Sequence, residues 1–186
     1  MARIPLPTPE VMTVEQRRVY DAIVKGPRGT LVGPLRAALH RPELADKWQQ
    51  LGEILRYRTS LPSNISEIAI LVTARRWNCQ VEWHMHAIEA AKAGIAAEVI
   101  EDIKHQRRPA QADAQTLAAR DFAVELMATG TVGQETYDAV RAVWKDVGVV
   151  ELTALIGYYT MVAMTLNAHE IPLPAGIAPP LPNIAA

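Results

Sequence analysis

Apolar side chains recur every three or four positions along most of this chain, and the period-two alternation of a half-buried strand is nearly absent. Thr13-Val14-Glu15-Gln16 has the form of a capping box and opens a helix to about Lys25, which Gly26-Pro27-Arg28-Gly29 stops. Gly33-Pro34 begins a short helix with proline at its tolerated first position. Pro42 starts a longer one through about Tyr57, with Leu44, Trp48, Leu51 and Leu55 at helical spacing. After the loop Leu61-Pro62-Ser63, Asn64 begins a helix whose apolar face is Ile65, Ile68, Ala69 and Val72. Asn78 is placed to cap the next, which ends at Gly94. A short helix from about Ala97 to His105 is closed by Arg108-Pro109, and residues 112–129 form another that ends at Gly130. Thr131-Val132-Gly133-Gln134 recaps a helix to about Asp146, and Gly148 separates it from a last apolar helix over 149–168. The expected class is all-α.

Both ends are punctuated by proline. Pro5, Pro7 and Pro9 keep residues 1–12 as an extended arm, and Pro172, Pro174, Pro179, Pro180 and Pro182 do the same for 171–186, around a single helical domain at 13–170. A chain of 186 residues is long enough to bury a core without staples. With 19 basic and 20 acidic residues there is no basic stripe, so nucleic acid is not an expected partner. Arg75-Arg76 and Arg107-Arg108 read as solvated helix ends. One cysteine excludes an internal disulfide and a cysteine-based zinc site. No apolar run has the length of a signal sequence or a membrane span, so the expectation is a cytoplasmic protein with no membrane partner.

The chemistry gathers between residues 67 and 86. On one helix Cys79, Glu82 and His86 fall at i, i+3 and i+7 and share a face. Capped by Asn78, Cys79 would sit in the first turn, where the helix dipole and Arg75-Arg76 favour a thiolate; buried packing is the other reading. Glu82 and His86, at i, i+4, are spaced to hydrogen-bond, which fixes the imidazole tautomer and suits His86 to proton transfer. Glu67 fits a capping box on the Asn64 amide, and otherwise faces the next helix across an αα-hairpin. Trp83 is placed to wall a pocket, and His84 points to a helix interface or a neighbouring subunit. His84 and His86 lie about 200° apart on a helix, so no metal site is expected. His40, His105 and His169 stand near helix ends.

Ser66-Glu67-Ile68-Ala69-Ile70-Leu71, the twelve-residue step from Glu67 to Cys79, and Cys79-Gln80-Val81-Glu82-Trp83-His84-Met85-His86 resemble the carboxymuconolactone decarboxylase family, which shares the AhpD-like alkylhydroperoxidase fold. Ala90-Ala91-Lys92-Ala93-Gly94-Ile95 extends the likeness, and Gly157-Tyr158-Tyr159 carries a weaker part of it. The AhpD branch has a glutamate, then Cys-x-x-Cys, then a histidine four residues on; this chain keeps Glu67, Cys79 and His86 but has Glu82 at the second cysteine. The resemblance therefore implies an AhpD-like helical bundle around an αα-hairpin, and a relay of Glu67, Glu82 and His86, more than dithiol chemistry. It also implies a trimer or hexamer.

Three readings follow. The first is a cofactor-free lyase or decarboxylase on a small carbonyl or lactone carboxylate, with His86 as proton donor, Glu82 polarising it and Glu67 orienting or recharging it. The second is a one-cysteine peroxidase using Cys79. The third is a catalytically silent helical oligomer that binds a ligand or partner.

Overall fold

The computed structural model describes residues 2–31 and 33–182. Among them the chain forms eight α-helices and no strand: α1 Val14–Lys25, α2 Gly33–Ala38, α3 Pro42–Tyr57, α4 Ser63–Arg76, α5 Gln80–Lys92, α6 Ala97–Lys104, α7 Ala114–Thr129 and α8 Gln134–Ala168. Residues gather into two compact units, one holding α1–α3 with Thr165–Pro172, the other holding α4–α7, α8 as far as Met164 and residues 173–182.

In the first unit α3 packs against α1 and α2, burying Val19 and Ile23 of α1, Leu35 of α2 and Trp48 and Leu55 of α3. The capping box forms: the Gln16 amide N–H donates to Thr13 Oγ1 at 3.3 Å, and the Thr13 N–H donates to Gln16 Oε1 at 3.0 Å. The N-terminal arm is tied down within this unit. The Arg3 N–H donates to the His169 carbonyl at 2.8 Å, Arg36 donates to the Leu6 carbonyl at 3.0 Å, and His40 Nε2 lies 2.7 Å from the Pro5 carbonyl. A 3-10 turn at Pro9–Val11 interrupts the stretch expected to be extended.

The second unit is built on α4, which α5, α6 and α7 surround. Ile65, Ile68, Ala69, Ile70, Leu71, Val72, Thr73 and Ala74 are all buried, so this helix is enclosed on every side rather than along one stripe. Each fully buried aliphatic side chain there stabilises the fold by about 1.5–3 kcal/mol. Asp113 caps α7 by accepting from the Thr116 N–H at 2.7 Å, and Gly130 ends it at φ 77. The C-terminal stretch is anchored where Leu181, itself buried, exchanges two hydrogen bonds with the Gln80 side chain.

Several local expectations are corrected. α4 starts at Ser63 with Pro62 as its cap, not at Asn64. Cys79, not Asn78, caps α5; Asn78 takes the left-handed conformation at φ 48 and accepts from Arg75 Nη1 at 2.9 Å. Arg75 is buried rather than solvated, because α4 is central. α7 begins at Ala114, two residues later than its apolar pattern.

The last two expected helices are present as two helical stretches of α8 that meet at a kink at Lys145 (φ 62, ψ −169), three residues before Gly148. Gly148 remains helical, and a Cβ on it would collide with the Trp144 Cβ, so this glycine permits a close approach. α8 is long and apolar enough, by length and composition alone, to cross a membrane, with mean hydropathy 1.6 over its most apolar stretch, and half of that stretch is buried inside the protein.

Candidate functional site

Every side chain of the candidate site belongs to the second unit. α4 and α5 form an αα-hairpin whose turn is Trp77, Asn78 and Cys79. The Cys79 N–H reaches back to the Ala74 carbonyl at 2.8 Å, so the residue that opens α5 is also fastened to the end of α4. This turn fixes the register of the two helices, and register sets which side chains meet.

His86 Nδ1 lies 2.7 Å from Glu67 Oε2, and both side chains are nearly covered, at 8% and 13% exposure. Glu67 thus spans to α5 and does not fold back on the Asn64 amide. The expected Glu82–His86 hydrogen bond is replaced by this one, and Glu67 is the carboxylate that fixes the imidazole. The ring of Tyr159, from α8, meets the His86 ring edge-on with centroids 4.9 Å apart. One hydrogen bond and one aromatic contact therefore lock the imidazole in place.

Glu82 is 2% exposed, and neither of its carboxyl oxygens has a hydrogen-bond partner among the described residues. Burial pushes its pKa well above the usual carboxylate range, which favours the neutral acid. Cys79 is 1% exposed, and its thiol is pushed up to about 12, first by burial and then by the neighbouring Glu82 carboxyl. The N–H groups of Glu82 and Val81 act in the opposite direction and are outweighed. Of the two readings of Cys79, burial and the raised pKa favour the packed, neutral thiol over the thiolate: in this site desolvation exceeds the pull of the helix N-terminus.

The structure brings together Glu67 and His86 by direct contact, and Cys79 and Glu82 as neighbours at the start of the same helix. Trp83 and His84 stand apart. With Ala87, Ile88, Ala91, Lys92 and Pro180 they line an open depression on other faces of α5. Tyr159 is the residue that reasoning from spacing missed. It reads as one more core aromatic, and its only signal was its place in the Gly157-Tyr158-Tyr159 part of the family likeness. Among the described residues no three His, Cys, Asp or Glu side chains are grouped to hold a metal ion.

The model of the carboxymuconolactone decarboxylase family matches residues 42–125. No curated protein sequence matches the chain. Among solved structures, an AhpD-core peroxidase-related protein from Ralstonia eutropha JMP134 superposes with a TM-score of 0.76 at 16% identity, covering 94% of this chain and 93% of that one. A peroxidase-related protein from Silicibacter sp. TM1040 gives 0.77 at 16%, covering 94% and 92%. A variant of the debrominase Bmp8, in complex with 2,3,4-tribromopyrrole, gives 0.73 at 13%, covering 93% and 91%. At these identities the likeness is one of fold, and that fold is the AhpD-like helical one.

Proposed function

We propose, on the premise that this chain belongs to the carboxymuconolactone decarboxylase family, that it is a cofactor-free proton-transfer enzyme, a carboxy-lyase acting on a small carbonyl or lactone carboxylate. The observation that carries this reading is the coexistence of a buried Glu82 carboxyl, unpartnered among the described residues, with an imidazole held by Glu67 at 2.7 Å. One group keeps a proton to give, and the other is oriented to move one.

In the reaction, the bond from the substrate carbon to its carboxylate breaks and carbon dioxide leaves. The electron pair passes into the adjacent carbonyl as an enolate. The neutral Glu82 acid stabilises the developing oxyanion by donating a hydrogen bond in a site of low polarity. His86 delivers a proton to the carbon that lost its carboxylate, and Glu67 holds the ring through that step and stabilises its change of charge. Protonation of His86 from solvent restores the start. Glu82 therefore acts on the substrate directly, and Glu67, not Glu82, orients His86.

His86→Gln should lower turnover on a panel of small unsaturated lactone and β-keto carboxylates by about 10²-fold or more while circular dichroism is unchanged. Turnover at the wild-type level would remove His86 from this role. Likeness to peroxidase-related structures supports a second reading, in which the Cys79 thiolate attacks a peroxide, becomes a sulfenic acid and is recycled by an external thiol. Cys79→Ser separates the two: it spares carbon dioxide release in the first reading and abolishes peroxide consumption in the second.

A further inference from the structure

A second hollow lies between α4, α6 and α7 and shares no residue with the Glu67–His86 site. Its volume is about 360 Å³, and Arg75, Arg76, Arg107 and Arg120 all line it. Apart from Gln106 the remaining wall is apolar, with Val72, Ile103, Val124, Met127 and Ala128. Cationic groups set against an apolar wall suit a ligand with both characters.

Charge compensation around this hollow is incomplete. Arg107 is held by Asp102 at 2.8 Å and Arg120 by Asp121 at 2.8 Å, and Asp121 also takes Arg108 at 2.9 Å. Arg76 stacks over the Trp77 ring, and neither it nor Arg75 pairs with a carboxylate among the described residues. Arg75 is only 6% exposed. Asn78 takes its Nη1, and its Nε is buried with no hydrogen-bond partner among the described residues. A buried guanidinium in that state carries an unrecovered desolvation cost, which a ligand carboxylate bound through two parallel N–H bonds would offset.

We propose that this cavity is a binding site for a small organic carboxylate with an apolar body, whose carboxylate pairs with Arg75 and whose body rests on Val72, Ile103, Val124 and Met127. Inorganic phosphate fits poorly, because it has nothing to set against four apolar side chains. A neutral molecule leaves the Arg75 edge unsatisfied. The volume is within the range of small-molecule pockets, roughly 300–1,000 Å³, and holds an aromatic acid rather than acetate.

Isothermal titration of the whole protein with 2-naphthoate, its neutral isostere 2-naphthamide, and inorganic phosphate tests this. Naphthoate should bind once per chain, at least about tenfold more tightly than the amide or phosphate. Arg75→Met and Ala128→Trp, the second filling the cavity from an exposed position on its lining, should each weaken naphthoate by about tenfold or more. Ala128→Trp carries the test if circular dichroism shows that Arg75→Met does not fold. The proposal is overturned if naphthoate does not bind, if the amide binds as tightly, or if Ala128→Trp binds naphthoate like the wild type. Binding that vanishes in His86→Gln but survives in Ala128→Trp would place the acid at the other site and also overturn it.

Discussion

At the residue scale, the position of Cys79 shows how two opposed effects are decided. Its place at the start of α5 offers backbone N–H groups to a thiolate, yet burial and the Glu82 carboxyl win and leave the sulfur protonated. With a pKa near 12 against an ordinary 9.0, the folded protein holds about a thousandfold less thiolate than an exposed cysteine. Alkylation by iodoacetamide at mildly alkaline pH should therefore be slower by at least that factor in the native protein than in denaturant, followed by mass spectrometry. Comparable rates in both states would show an accessible, activated thiol and favour the peroxidase reading. Glu67 was the least legible of the four candidates. Asn64-Ile65-Ser66-Glu67 satisfies a capping pattern, and nothing in those four residues says that the helix starts one position earlier. Only the α4–α5 pairing, a tertiary fact, sends the carboxylate to His86.

At the element scale, the helices were legible because their punctuation is local: the Thr13 capping box, Pro42 at the head of α3, Gly130 at the end of α7. The break in α8 was legible to within a few residues, as a helix end near Asp146, but the residue that carries it was not. Lys145 carries a backbone conformation that suits glycine, and no residue type announces it. Gly148 looks like the breaker but instead lets the turn beside Trp144 close. Gly148→Ala should thus destabilise the protein by about 1–3 kcal/mol through overpacking. Gly157→Ala, on the same helix with nothing within 4 Å of its added methyl, should stabilise it by roughly 0.5–1 kcal/mol. Thermal unfolding of the two variants checks the pair; equal effects would contradict the close approach at Trp144. Arg75 was misread for a related reason. An arginine pair at a helix end normally faces water, and only the enclosure of α4 by three neighbours buries the first of them.

At the scale of the whole molecule, a fold that buries a carboxyl with no hydrogen-bond partner among the described residues leaves a mark on stability. The folded state holds the Glu82 proton to higher pH than the unfolded chain does. Its contribution is fully present below the ordinary glutamate value of 4.5 and is lost as pH rises through the folded value. Glu82→Gln should therefore gain melting temperature relative to wild type as pH rises from that point, and a gap that does not vary with pH would count against the burial. The all-α class and the AhpD-like architecture followed from periodicity and from the family likeness. The pairing of acids and imidazole did not, because it depends on register between helices. One hairpin carries a buried acid, Glu82, on the same helix as an imidazole that a different carboxylate, Glu67, fixes. Carboxyl carbon-13 NMR titration of the native protein, with the Glu82 signal assigned by its loss in Glu82→Gln, tests it most directly. The Glu82 carboxyl should titrate clearly above an ordinary glutamate, because burial favours its neutral form; a midpoint near 4.5, the ordinary glutamate value, would overturn this.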